Sequence, residues 1–143
     1  MQVNVLAVAL NDLSIRCHVA SRNAGWWNEI ISNVGLIPSE EDKRHEEYLV
    51  NGTFPYVIAT KIALIHSELS EALEGVRRNA DDDKLPHRKA VEVELADALI
   101  RIFDLAGALD LDLGGAVIEK MNFNVARPDH QVEQRRDPNG KIF

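Results

Sequence analysis

The sequence predicts an all-α protein, a four-helix bundle that assembles into oligomers. Three observations carry this expectation. Apolar residues recur at three- and four-residue intervals along two long segments. Glycine and proline, eight and five residues, are sparse and sit at punctuation points. No clear alternating run of useful strand length is present. The 143 residues suffice for one hydrophobic core, so a single domain is expected over 1–127, with a loose arm or short hairpin over 128–143.

The elements follow in order. The first helix is expected from about Val3 to Asn23, with a short segment at 26–31 after it. Residues 34–51, with Gly35, Pro38 and the charged run 40–44, read as loop plus one short helix, and Asn51-Gly52-Thr53 marks a turn. The second long helix starts near Thr53, a capping residue, with Pro55 in its first turn. Its stripe is Ile58, Ile62, Ile65, Leu69, Ala72 and Val76, and it ends before a solvated acidic loop, 79–83. The third helix is expected from about Pro86, with the stripe Val91, Leu95, Leu99, Ile102, Ala106 and Leu109. Ala96, Ala98, Ile100, Phe103 and Leu105 fill its other faces, and a helix apolar nearly all round belongs in a subunit interface. The fourth runs from about Asp112, its cap, to Ala126, and Pro128 stops it.

Twenty-three acidic against 16 basic side chains give a net charge of −7, which disfavours a nucleic-acid binder. The single cysteine, Cys17, excludes an internal disulfide and a cysteine zinc site, and reads as a core residue. No apolar run approaches the ~18–20 residues that span a bilayer. The N-terminal apolar stretch lacks a basic leader region and is broken by Asn11-Asp12, so no membrane partner is expected and the cytoplasm is the expected location.

The chemistry lies in two pairs of carboxylates. Glu68 and Glu71 are spaced i, i+3 on the second long helix, and Glu94 and Asp97 are spaced likewise on the third. The connection between these helices is short, so the two pairs can face each other. Desolvated like charges repel, and bound cations are one escape. Hard oxygen ligands suit Mg²⁺ or Mn²⁺, and Mg²⁺ commonly shares its coordination with substrate phosphates. Glu74 and Glu92 are weaker candidates: Glu74 sits beside Arg77-Arg78, and Glu92 points away from the Glu94 side. On the fourth helix Lys120, Asn124 and Arg127 share one face, a donor set for phosphate oxygens or a plain solvated face.

These residues resemble a known family. Glu68-x-x-Glu71, a gap of 22 residues and Glu94-x-x-Asp97 resemble the E-x-x-E…E-x-x-D signature of the all-α nucleoside triphosphate pyrophosphohydrolases. The text Leu64-Ile65-His66-Ser67-Glu68-Leu69-Ser70-Glu71-Ala72-Leu73-Glu74-Gly75-Val76-Arg77 is similar to MazG-like members in particular, as is Glu94-Leu95-Ala96-Asp97-Ala98-Leu99-Ile100-Arg101-Ile102. Lys120-x-x-x-Asn124-x-x-Arg127 resembles the family's last core helix, and the likeness covers roughly residues 14–130. It implies Mg²⁺-dependent hydrolysis of a nucleoside triphosphate, with a deoxynucleotide favoured, to the monophosphate and pyrophosphate. It implies Glu68, Glu71, Glu94 and Asp97 as metal ligands, Lys120, Asn124 and Arg127 on the triphosphate, and a homodimer or homotetramer. Glu71 is the first choice to orient the attacking water.

The base needs an apolar site, and Trp26 and Trp27 could stack on it or fill the core. His66 reads as a packed bystander, and His18 and Asn11 as further pocket-lining candidates. The chain has one carboxylate unit, where tandem MazG proteins have two. Its 34–52 segment is longer and more charged than a minimal core needs, and reads as a lid or dimer arm. Two alternatives stand beside this reading: a phosphoribosyl-ATP pyrophosphohydrolase, and a non-enzymatic helical interaction module. Exposed, divergent carboxylates would favour the module.

Overall fold

The computed structural model describes residues 4–27 and 54–127. Among these the regular elements are helices: α1 (Val5–Asn23), α2 (Phe54–Arg78), α3 (Ala90–Ala108) and α4 (Leu113–Ala126). No strand occurs among the described residues; Asp81 and Lys89 form an isolated antiparallel bridge. None of the described helices is long and apolar enough to cross a membrane. The charged 34–52 segment, residues 28–31 and the 128–143 tail lie outside the described residues. The chain groups into two compact units, each described by itself: Leu13–Leu111, and Met1–Asp12 with Asp112–Phe143.

Three helices end in the same way. After α1, Trp26 N–H donates to Ser21 O and Gly25 N–H to Arg22 O, with Gly25 at φ 84°. Asn79 (φ 47°) and Asp110 (φ 50°) take the equivalent left-handed position after α2 and α3. This pairing satisfies the last carbonyls of each helix and turns the chain sharply. At α1 the turn brings Trp26 and Trp27 back beside the helix.

In the larger unit α2 and α3 form an antiparallel hairpin. They pack tightly at Gly75, where an added Cβ would lie 3.0 Å from Ala90 Cβ and from Val91 N. The connection is ordered by Asp82, whose Oδ1 accepts from Lys84 N–H (3.0 Å) and Leu85 N–H (2.6 Å). Asp82 N–H donates to Arg88 O and Ala90 N–H to Ala80 O. These bonds hold 81–89 in a closed turn, so α3 begins at Ala90 and not at Pro86, and Asp82 is buried in a loop expected to be solvated throughout.

The apolar stripe expected on α2 divides. Ile58, Ile65 and Ala72 are wholly or partly covered, but Ile62, Leu69 and Val76 are exposed, with Leu73 beside them. The covered face runs Lys61, Ile65, Glu68, Ala72, Gly75, a 4-3-4-3 seam that includes two charged residues. On α3, Ala98, Phe103, Asp104 and Ala106 are buried, while Leu95 and Leu99 are exposed. The C-terminal part of α1 packs on α3 at Gly107, where a Cβ would lie 2.5 Å from Ser14 O.

In the smaller unit Asn4 Oδ1 caps α1 by accepting from Leu6 N–H and Ala7 N–H. Asp112 caps α4 by accepting from Gly115 N–H at 2.8 Å. Asn11 donates to Asp112 Oδ1 and accepts from Gly114 N–H, each at 2.7 Å, so it braces this cap. The Asn11 amide and then the Gly115 N–H lower the Asp112 carboxyl below its ordinary range.

Candidate functional site

The hairpin brings three of the four carboxylates to one place. Glu68 is 6% exposed, Glu94 and Asp97 are half-buried, and one oxygen from each lies within 4.8 Å of the others. Glu71 is exposed and outside this trio, yet near enough to act on Glu94. The Glu94 carboxyl is pushed above its ordinary range, first by burial and next by the Glu71 charge. A hydrogen bond with Glu68 and the charges of Glu68 and Asp97 add to the effect. Carboxylates crowded in this way offer hard oxygen donors that a divalent cation of the Mg²⁺ type would hold together. Glu74 pairs with Arg77 and Arg78, and Glu92 with Arg88, all outside the trio.

The cluster meets a cation and a cleft. Arg101, one turn beyond Asp97 on α3, donates from Nε to Glu68 Oε1 at 2.6 Å and keeps 40% of its side-chain surface exposed. A cleft of about 900 Å³ adjoins it, lined by Arg16, Trp26, Lys61, Asp97, Arg101 and Asp104, among others. Cys17, expected in the core, is half-buried and lines this cleft; burial and then the Asp104 charge push its thiol up.

A second polar cluster, which the sequence reading does not anticipate, forms one wall. Asp104 is 6% exposed and has four side-chain partners. Its Oδ1 meets His18 Nδ1 at 2.9 Å and accepts from Trp27 Nε1 at 2.9 Å. Its Oδ2 accepts from Ser21 Oγ at 3.0 Å and Lys61 Nζ at 3.3 Å. Lys61 Nζ also lies 4.0 Å from the Trp27 ring centre, and His18 meets that ring edge-on at 5.2 Å. The signal was a lone aspartate between Phe103 and Leu105, and a lone lysine within the apolar run of α2.

The two tryptophans therefore part. Trp27 is buried against Asp104 and Lys61, while Trp26 is 70% exposed and lines the cleft. His66 is exposed, and its carbonyl accepts from Ser70 Oγ. Lys120, Asn124 and Arg127 belong to the other unit. Lys120 Nζ lies 4.7 Å from the Phe123 ring centre, and Arg127 N–H donates to Asn124 O at the end of α4. Asn124 Oδ1 is buried with no hydrogen-bond partner among the described residues.

No family model, curated protein or solved structure matches this chain.

Proposed function

We propose that this protein hydrolyses a nucleoside triphosphate, by preference a deoxynucleotide, at the α-phosphorus, as the MazG-like pyrophosphohydrolases its sequence resembles do. The observation that supports this best is the convergence of buried Glu68 with Glu94 and Asp97 beside a cleft wide enough for a nucleotide. A solvated interaction face would leave these carboxylates exposed and apart. In this reading Glu68, Glu71, Glu94 and Asp97 hold Mg²⁺, with Mn²⁺ a substitute. The ion, when bound, offsets phosphate charge and stabilises the pyrophosphate leaving group. Glu71, exposed and outside the tight trio, orients the attacking water. Trp26 offers its indole face to the base, and Trp27 fixes the wall behind it. The resemblance alone assigns Lys120, Asn124 and Arg127 to the triphosphate oxygens.

The test is a panel of the canonical ribo- and deoxynucleoside triphosphates with Mg²⁺, products separated by chromatography. Turnover should yield monophosphate and pyrophosphate, stop when a chelator is added and return with Mg²⁺ or Mn²⁺. Full activity in excess chelator would sink the mechanism.

The same reading includes a homodimer or homotetramer. Ile62, Leu69, Leu73 and Val76 form an uncovered apolar stripe on α2, and Leu95 and Leu99 another on α3. A second copy of the hairpin is the occupant that matches two such stripes. Sedimentation at micromolar concentration should give at least twice the monomer mass. A monomer with full activity would refute the assembly.

A further inference from the structure

Among the described residues three cations line the cleft: Arg16, Lys61 and Arg101. Their surroundings give them different capacities for an anionic ligand. The charge of Lys61 is met by Asp104 at 3.3 Å, and its ammonium is covered by the Trp27 ring. Arg16 is engaged in an interaction of its own. The Arg101 side chain uses Nε on Glu68 and forms no other hydrogen bond among the described residues. Its side chain is 40% exposed where Asp97 of the acidic trio also borders the cleft. A guanidinium presents five N–H donors in a fixed plane, and one bond through Nε leaves the two terminal nitrogens as a fork for a phosphate.

We propose that Arg101 is a phosphate-binding residue, anchored through Nε by Glu68 and holding the substrate's polyphosphate with its terminal nitrogens. This rests on the hydrolase reading above and adds a residue to it on the carboxylate side of the cleft. Anchoring by Glu68 fixes the rotamer before the ligand arrives, so less side-chain freedom is lost on binding. The anchor also gives buried Glu68 a counter-charge when no metal is held. Arg101 therefore acts on metal and phosphate in opposite senses. Its positive charge opposes a cation at Glu68 and attracts an anion in the cleft.

Inorganic tripolyphosphate, which has no base, isolates this role. Its binding is measured by calorimetry in Mg²⁺ for the full chain and for Arg101→Ala, Arg101→Lys and Arg101→Gln. Mg²⁺ binding alone is measured in parallel. Arg101→Ala should weaken tripolyphosphate tenfold or more while Mg²⁺ affinity holds or rises, and Arg101→Lys should recover part of the loss. Arg101→Gln keeps a hydrogen bond for Glu68 without the charge and serves if the alanine variant does not fold; it should lose tripolyphosphate affinity likewise. Unchanged tripolyphosphate affinity in a chain that hydrolyses nucleotides would overturn the assignment of Arg101 and leave the hydrolase reading standing. A parallel fall in Mg²⁺ affinity would also overturn it, by making Arg101 a support for Glu68. A wild-type chain that neither binds tripolyphosphate nor hydrolyses any nucleotide would remove both.

Discussion

Glu94→Gln and Asp97→Asn should each lower kcat by about two orders of magnitude or more, on the order of 3 kcal/mol of lost transition-state stabilisation. Each substitution preserves size and removes charge that a bound cation needs. The fold should survive, because each relieves repulsion within a crowded trio. For Glu94 the sign follows from its raised pKa. A carboxyl raised in the folded state contributes most to stability at low pH, and that contribution is lost as pH rises through the folded-state value. Metal-free Glu94→Gln should therefore unfold at a higher temperature than wild type near neutral pH. The difference should fade on acidification through the raised folded-state value. The stabilisation produced by added Mg²⁺ should shrink in both variants. Melting curves in chelator over a pH series, and then with Mg²⁺, measure all of this. Variants that unfold, or that keep full kcat, would make these residues structural.

Much of the fold could be read from periodicity and caps. The expected bounds of α1, α2 and α4 lie close to the observed ones, because Asn23-Ala24-Gly25, Asn79 and Asp112 end or start helices by local backbone chemistry. The start of α3 was less legible, since Asp82 closes its turn through hydrogen bonds to Lys84 and Leu85 that spacing does not reveal. Two heptad positions compete on α2: Ile58, Ile65 and Ala72 at one, Ile62, Leu69 and Val76 at the other. Apolar character cannot rank them, because the hairpin seam takes the first set together with Lys61, Glu68 and Gly75. The i, i+3 carboxylates were visible because that spacing survives any choice of partner helix. The wall around Asp104 was not, because its members, at 18, 21, 27, 61 and 104, share no local pattern.

Asp104→Ala should be the most destabilising single change within this wall, lowering the unfolding free energy by about 3–5 kcal/mol. The substitution leaves the Lys61 ammonium in a site where only 11% of its side chain is exposed, without the carboxylate that neutralises it. It also strips acceptors from Ser21 Oγ and Trp27 Nε1 and a partner from His18. A buried donor without a partner is more costly than its hydrogen bond was worth. Asp104→Asn should recover little, because its amide nitrogen faces donors at a position where the carboxylate accepted. Most of the loss should travel with the lysine charge. Lys61→Met removes that charge and keeps an unbranched stem against Trp27. The double variant Asp104→Ala with Lys61→Met should thus be more stable than the sum of the single effects, by roughly 0.5–3 kcal/mol. Chemical denaturation of the four proteins in a double-mutant cycle measures the coupling directly. Strict additivity, or an Asp104→Ala loss below about 1 kcal/mol, would show that the wall holds without its aspartate. The stabilisation by Mg²⁺ should persist in folded Asp104→Ala, because neither Asp104 nor its partners His18, Ser21, Trp27 and Lys61 belong to the acidic trio. That persistence distinguishes a residue that shapes the cleft from one that holds the ion.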